Sequence, residues 1–392
     1  MRFLRTAIIA TSVLLMPGIA AAQGSTPASP AAADGWERIV PEPVTIDGRR
    51  YAPTCSNAPG TTTSTFSYFF RRGTANGLLV FFNGGGACWN DATCSKPRLA
   101  GDRAVFSGPD DEDAFGVFKA ELLPGDGPSR LNGMFDRTNA QNPVRDWSMI
   151  FVPYCTGDVH SGSNTAQYKE PGTGKPFTIE HRGWDNMQVI MHWMRSNVPQ
   201  PAHMLVSGSS AGAYGAATHY ASLRALYPGA RSAFLGDSGQ GVTTPEFERG
   251  RNANWNYQLP SSIFGSNAQN TPDAEVVAKL AAHFQTDRFT QFTSFQDATQ
   301  TAFLAQMRPP GACNAWTNQM SRELARRQAA PNFRSYVAQG NTHTILRAPL
   351  FYTEQSTGMS FTAWLGALVQ NNTVPANQSC PTCQAPQGTC ID

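Results

Sequence analysis

Two serine motifs lie close together in the sequence, and each is typical of a nucleophile. Ser210 lies in GSSAG (208–212), which fits the pattern G-x-S-x-G. Ser238 lies in FLGDSGQG (234–241), whose GDSG core is the nucleophile signature of trypsin-like proteases. A serine activated by a neighbouring base attacks carbonyl carbons, so both motifs point to acyl transfer. The flanking sequence indicates which serine has the structural context that its motif requires.

Ser210 has that context. The apolar stretch 203–208 predicts a strand, and the alanine-rich stretch 211–227 predicts a helix. A strand, a tight turn and a helix expose the serine oxygen at the carboxyl end of the strand, with small residues required on both sides. The N–H of Ala211, at the start of the helix, can then help to bind an oxyanion. We therefore predict Ser210 as the nucleophile, against the alternative of a plain glycine-rich turn.

Ser238 lacks the context of its own motif. Trypsin-like enzymes are built from antiparallel β-barrels and carry His, Asp and Ser in that chain order. Here a helix follows each nearby strand, no Ala-Ala-His-Cys segment precedes the motif, and Gln240 replaces that family's second glycine. Ser238 is therefore predicted to lie beside the site and not to be its nucleophile.

A glycine-rich loop supplies a second candidate half of an oxyanion hole. The sequence NGGG (83–86) directly follows the apolar stretch 77–82. Such loops bring backbone N–H groups close to a tetrahedral intermediate, and Gly85 and Gly86 are the predicted donors. A phosphate-binding loop is disfavoured because no Lys-Ser/Thr pair follows the glycines.

His343 is the predicted base, because it lies in GNTH (340–343), just after the last strong strand candidate. Histidines 192, 203, 219 and 283 fall inside predicted helices or a strand, where structural roles are expected. Two aspartates follow strand candidates and give the order Ser, acid, His. Chain order favours Asp297 over Asp237 as the acid, and Asp237 remains the alternative.

The elements that must position these residues predict an α/β-hydrolase fold. Short apolar runs alternate with helix-like segments, which is typical of a mostly parallel sheet with helices on both faces. Long polar stretches at 91–147 and 238–270 are interpreted as inserted loops that set selectivity. The predicted strands are 65–70, 77–82, 148–154, 203–208, 231–236, 289–295 and 333–339, and the predicted helices are 185–197, 211–227 and 271–285.

The first residues predict export. Residues 1–22 combine Arg2 and Arg5 with a short apolar run and the triplet Ala20-Ala21-Ala22, as in a signal peptide cleaved after about Ala22. A membrane anchor is disfavoured because the apolar run is too short to span a bilayer. A flexible linker (23–35) and a single catalytic domain (36–392) are expected to follow, in a secreted or periplasmic protein.

The composition and the net charge limit which classes of molecule the protein is expected to bind. With 41% hydrophobic and 15% charged residues the chain is typical of a globular protein, and cleavage lowers the formal charge from +2 to 0. The chain therefore has no surplus of basic residues, which would have indicated binding to nucleic acid or to an anionic membrane.

The chain has eight cysteines, an even set that favours disulfides in an exported protein. Spacing suggests the local pairs Cys88–Cys94 and Cys383–Cys390, and leaves the other pairings open. CPTC (380–383) could instead be half of a zinc site, but no second half accompanies it.

Taken together, NGGGACW, PYCTGDVHSG, GSSAG, GDSG, DATQ and GNTH occur in an order that resembles the pectin acetylesterase and Notum family of α/β-hydrolase carboxylesterases, over roughly residues 36–345. The resemblance implies a triad of Ser210, His343 and Asp297, the last in a D-x-x-Q pattern that ends at Gln300. It also implies oxyanion donors in Gly85, Gly86 and Ala211, Trp89 near the acyl pocket, and the disulfides Cys88–Cys94 and Cys55–Cys155. Asp237 is expected in the substrate pocket for a separate reason, because the end of strand 231–236 would turn beside the cleft. Asp158 and His160, in the second motif, are expected to hold the glycine loop. The sequence GACWN after the glycines departs from the G-G-W-C arrangement of eukaryotic members.

These patterns predict a secreted serine carboxylesterase that forms an acyl-enzyme, with acetyl esters among its candidate substrates. No metal or organic cofactor is expected. The expected partner is an ester, either a small molecule or an acylated polymer, with no nucleic acid and no membrane anchor. A peptidase or amidase on the same triad and a non-catalytic secreted binding protein are the alternatives.

Overall fold

The computed structural model describes residues 35–98, 118–123, 126–307, 316–370 and 374–383. The predicted signal peptide (1–22) and nearly all of the predicted linker lie outside the described residues.

An eight-stranded sheet forms the centre of the protein, in the order β1-β2-β4-β3-β5-β6-β7-β8. Its strands are β1 Glu37–Ile39, β2 Tyr68–Arg71, β3 Gly77–Phe82, β4 Ser148–Val152, β5 His203–Ser209, β6 Arg231–Asp237, β7 Arg288–Ser294 and β8 Phe333–Ala338. Only β2 runs against its neighbours, since it pairs antiparallel with both β1 and β4, and the other pairings in this sheet are parallel. The mostly parallel α/β-hydrolase sheet predicted from the sequence is thus confirmed.

Helices cover both faces of the sheet. They are α1 Asp91–Cys94, α2 Gly183–Asn197, α3 Ala211–Leu226, α4 Pro245–Trp255, α5 Ser261–Phe264, α6 Asp273–His283, α7 Ala298–Met307, α8 Trp316–Gln328, α9 Leu350–Thr353 and α10 Phe361–Val369. Small two-stranded sheets pair Val44–Ile46 with Arg49–Tyr51, Pro97–Arg98 with Phe118–Lys119, Asn164–Lys169 with Pro176–His181, and Gln355–Ser356 with Met359–Ser360.

Alternating side chains of β3 show how the core divides. Leu78, Val80 and Phe82 pack in one cluster with apolar residues of α2, α3, α6 and α8. Leu79 and Phe81 face the other way, into a cluster that includes Trp364 and other residues of α10. Because both faces are covered, the strand is apolar along its whole length, as expected for a central parallel strand.

The stretch 238–270 is not the continuous loop that its polarity predicts, because α4 and α5 lie within it. Thr244 caps α4 by accepting a hydrogen bond from the N–H of Phe247, Pro245 occupies the first turn, and Asn256 ends the helix in the left-handed conformation. These are ordinary helix start and stop signals. Phe247 and Trp255 are buried on this otherwise polar helix, so tertiary packing anchors it.

Three disulfides join described cysteines: Cys55–Cys155, Cys88–Cys94 and Cys380–Cys383. The first two match the expected pairs. The pairing of Cys383 with Cys390 is wrong, because Cys383 bonds to Cys380, three residues away. The same bond removes both sulfurs from any zinc site of the CPTC segment.

Within the described ranges, no helix combines the length and the apolar character needed to cross a membrane.

Candidate active site

Ser210 occupies a strained turn between β5 and α3. Its backbone has φ 56° and ψ −125°, in the positive-φ region that side-chain-bearing residues rarely adopt. A Cβ on Gly208 would clash with the carbonyl of Gly212, and a Cβ on Gly212 would clash with the carbonyl of Phe82. Strand and helix therefore approach so closely that only glycine fits at these two positions, which is the geometry of a nucleophile elbow.

The structure brings His343 and Asp297 together. Nδ1 of His343 lies 2.9 Å from Oδ2 and 3.0 Å from Oδ1 of Asp297, and both residues are buried. A carboxylate on Nδ1 keeps the proton there and leaves Nε2 to accept a proton from a hydroxyl. The alternative acid, Asp237, makes no direct bond to this imidazole among its described hydrogen bonds.

The loops that carry acid and base run side by side beyond the sheet. Phe295, Gln296 and Ala298 donate backbone hydrogen bonds to the carbonyls of 338, 340 and 341, at 2.9 to 3.1 Å. The pairing of β7 with β8 thus continues past the strand ends. Asp297 and His343 lie opposite each other because their loops extend one parallel pair of strands.

A buried chain of amides holds Asp297 from behind. Gln300 donates its backbone N–H to Oδ1 (2.9 Å) and its side-chain amide to Oδ2 (3.0 Å) of Asp297. The same side chain donates to Gln240 Oε1 and accepts from the Gln240 N–H. Arg327, almost fully buried, donates to the Gln240 carbonyl at 2.7 Å. Burial lowers the pKa of Arg327 to about 10, so this guanidinium is still charged at neutral pH.

The glycine loop lies against the elbow. Gly85 and Gly86 have φ of 152° and 76°, and a Cβ on Gly85 would clash with the Tyr154 ring. Gly86 and Ala211 line the same cavity as Ser210, whereas the Gly85 carbonyl accepts the N–H of Lys119. The loop is fixed at both ends, since Arg347 donates to Asn83 Oδ1 at 2.9 Å and the Cys88–Cys94 disulfide follows the glycines.

The cavity at the elbow has a volume of about 60 Å³. Ser210 and His343 lie in its wall together, although they are only 7% and 4% exposed, so a substrate must reach them through this cavity. Its wall is mostly apolar, and its larger apolar side chains are Val159, Val242, Phe247, Phe303 and Met307.

Trp89 and Asp237 lie behind this wall and not in it. The Trp89 ring packs against Phe247 at 5.1 Å and Phe303 at 6.5 Å, so it supports the two aromatic residues that line the cavity. Asp237 is fully buried at the end of β6. Ser238 does line the cavity, and its hydroxyl accepts the N–H of Thr344 at 3.1 Å.

Asp158 and His160 lie in a buried loop beside the glycines. The Asp158 carboxylate accepts hydrogen bonds from the Thr156 hydroxyl and from three backbone N–H groups, and burial raises its pKa to about 6. Nε2 of His160 contacts the Asn83 carbonyl at 2.8 Å. Burial lowers the pKa of His160 to about 4, so its neutral ring ties this loop to the start of the glycine loop.

Among the described residues, the one cluster of metal-type ligands is Cys88, Cys94 and His181. Its two sulfurs are joined in a disulfide, and both ring nitrogens of His181 contact oxygens, Thr156 O and Tyr168 Oη. Burial lowers the pKa of His181 to about 3. This cluster is therefore structural in its disulfide-bonded form.

Sequence reasoning missed Gln240 and Arg327. Gln240 entered it only as a departure from the protease motif. Arg327 did carry a signal, because Met320, Leu324 and Arg327 recur at helical spacing and all three are buried. A charged residue in the apolar stripe of a helix indicates a buried polar contact.

Residues 126–308 match the family model for pectinacetylesterase. The chain is similar in structure to the Wnt deacylase Notum from Drosophila, with a TM-score of 0.60 and 15% sequence identity over 88% of this chain and 97% of that one. No curated protein sequence matches the chain. The family resemblance inferred from the motifs is confirmed, and the structural likeness shows the shared fold.

Proposed function

We propose that this pectinacetylesterase-like protein is a secreted serine carboxylesterase that acts on short acyl esters. The observation that carries the proposal is the convergence of a strained Ser210, an imidazole bonded to Asp297 and a glycine loop at one apolar cavity. The export signal predicted in residues 1–22 and the disulfides support secretion.

In the first half of the reaction, His343 Nε2 takes the proton of Ser210 while Oγ attacks the ester carbonyl carbon. The carbonyl oxygen becomes an oxyanion, and the N–H groups of Gly86 and Ala211 bind it. The tetrahedral intermediate collapses, the C–O bond to the alcohol breaks, and the imidazolium returns the proton to the leaving alkoxide.

In the second half, water replaces the alcohol. His343 removes a proton from the water as its oxygen attacks the acyl-enzyme, and a second oxyanion forms in the same hole. Collapse releases the carboxylic acid and returns the proton to Ser210. Asp297 holds the imidazole through Nδ1 and stabilises the imidazolium.

The size of the cavity supports a short acyl group. A dry cavity of about 150 Å³ holds benzene, whereas this one has about 60 Å³. The apolar wall suits a methyl or ethyl group, since burying each CH₂ contributes about 0.8 kcal/mol. Acetyl esters are therefore the proposed substrates, and a longer acyl chain would need more room than the cavity lined by Phe303 and Met307 provides.

The test uses p-nitrophenyl acetate, butyrate and octanoate with the purified protein. We expect the highest kcat/KM with acetate, and we expect Ser210→Ala to reduce it by roughly 10⁴-fold or more. Ser238→Ala is the matched control, because this second serine lines the same cavity. It should keep most of the activity, with a moderate loss from its bond to Thr344. Equal rates in wild type and Ser210→Ala would reject the mechanism, and faster hydrolysis of p-nitroanilides than of esters would favour an amidase.

A further inference from the structure

Asp237 is a buried carboxylate that the mechanism above does not use. It ends β6, next to the last residue of β5, and Ser209 and Asp237 are paired across the two strands. The residue is 0% exposed. A buried carboxylate is costly unless several donors surround it, so the identity of its donors indicates its role.

On one side, Asp237 holds the nucleophile elbow. The Ser209 hydroxyl donates to its Oδ2 at 2.6 Å. The N–H of Ser210 donates to its backbone carbonyl at 2.7 Å. Both the residue before the nucleophile and the backbone of the nucleophile are thus fixed to Asp237.

On the other side, the same carboxylate holds the base loop. Oδ2 accepts the N–H groups of Ile345 and Leu346, each at 3.1 Å. These residues come two and three positions after His343. Ser238, which directly follows β6, adds a further bond, because its hydroxyl oxygen accepts the N–H of Thr344. Both Ser238 and Thr344 have positive φ. The loop therefore follows a path that L residues rarely adopt, and these hydrogen bonds stabilise it.

We propose that Asp237 is a positioning residue of the esterase, whose carboxylate joins the Ser210 elbow to the His343 loop and sets the distance between nucleophile and base. This inference rests on the proposed function. Three of its donors converge on Oδ2, so a single carboxylate oxygen bonds both to the elbow at Ser209 and to the backbone of Ile345 and Leu346.

The charge of Asp237 also responds to pH. Burial raises its pKa to about 6, whereas the bonds from Ser209, Leu346 and Ile345 and the neighbouring His343 act in the opposite direction. His343 is the titratable group that acts on it directly, and Asp297 bonds in turn to the imidazole of His343. Protonation of the Asp237 carboxylate would turn one of its acceptor oxygens into a donor. It would weaken the bonds that the carboxylate accepts from the Ser209 hydroxyl and from the N–H groups of Ile345 and Leu346.

The test compares Asp237→Ala and Asp237→Asn with the wild type, using p-nitrophenyl acetate. A 1 Å error in placement costs about 100-fold, so we expect Asp237→Ala to lower kcat about 100-fold per titrated active site, with KM changed by less than about threefold. Asp237→Asn keeps one acceptor and should recover about tenfold of this loss. Asp287→Asn is the matched control, because Asp287 is also buried and its carboxylate bonds to Tyr220 and Arg224, which do not line the cavity.

A pH profile separates positioning from mere stability. Protonated Asp237 presents one donor and one acceptor, as an asparagine side chain does, so its protonation should cost the wild type about the same tenfold in kcat/KM as Asp237→Asn. The ratio of kcat/KM between the wild type and Asp237→Asn should therefore fall from about tenfold well above pH 6 towards one well below it, because the pKa of Asp237 is about 6. A kcat in Asp237→Ala within threefold of the wild type, or a ratio that does not change with pH, would overturn the inference, while an inactive Ser210→Ala leaves the proposed function intact. An inactive wild type would overturn both.

Discussion

Replacing Asp297 with asparagine changes one hydrogen-bond acceptor at the candidate site into a donor and leaves the shape of the side chain intact. Both carboxylate oxygens lie within 3.0 Å of His343 Nδ1. Each oxygen also accepts a hydrogen bond from Gln300, one from its backbone and one from its side chain. The new NH₂ group must therefore face a donor in either orientation.

The two orientations are not equivalent. With NH₂ at the Oδ1 position, the backbone N–H of Gln300 loses its acceptor in the interior, at a cost of about 1–3 kcal/mol. With NH₂ at the Oδ2 position, the Gln300 side chain can turn over, although this sacrifices its bonds to Gln240. In that second orientation the amide donates to His343 Nδ1, so the imidazole proton moves to Nε2, which then cannot accept the proton of Ser210.

A wrong tautomer of this kind lowers kcat by about 10⁴ in a serine triad, which corresponds to about 5 kcal/mol of transition-state stabilisation. We expect Asp297→Asn to lose 10³- to 10⁴-fold in kcat, by order of magnitude, and to lose far more than Asp237→Asn. Initial rates with p-nitrophenyl acetate measure the loss, and Asp287→Asn controls for removal of a buried charge. A loss below tenfold, or a larger loss in Asp237→Asn, would refute the assignment of Asp297 as the acid.

Two further substitutions test the acyl cavity and the buried charge of Asp158. Phe303→Ala enlarges the cavity, so kcat/KM for butyrate relative to acetate should rise roughly tenfold; Phe264→Ala, outside the cavity lining, should leave that ratio unchanged. The folded protein binds a proton at Asp158 more tightly than the unfolded chain, because burial raises the pKa of this carboxyl from 3.8 to about 6. The wild type should therefore lose about 3 kcal/mol of stability from this group as pH rises from 4 to above 6. The free energy of unfolding of Asp158→Asn, measured in urea, should not show this decrease with pH. Parallel pH dependences of the free energy of unfolding in the two proteins would contradict the prediction.

The sequence predicts the part of the site that is built locally. The elbow needs only a strand, small residues and a helix in succession, and all of these lie within 203–227. The parallel strands are equally visible because burial on both faces makes them apolar throughout. The direction of β2 is not visible, since an apolar strand reads the same in either direction.

Contacts between distant residues could not be read in this way. The carboxylate of Asp237 and the N–H of Leu346 are 109 residues apart, and no local pattern joins them. Chain order alone favoured Asp297 over Asp237 as the acid; it offered no second role for Asp237. The pairing of Cys383 was missed because spacing favoured a longer loop over a three-residue one.

The backbone bonds between the loops at 295–298 and 338–341 have a mechanical consequence. Acid and base are attached to one two-stranded extension, so bending of that extension carries both side chains together and preserves the contact between Asp297 and His343. The nucleophile is attached to a different pair of strands. The distance between serine and imidazole is therefore the one in the triad that this extension does not fix, and it depends instead on the bonds of Asp237 to the elbow and to the loop after His343.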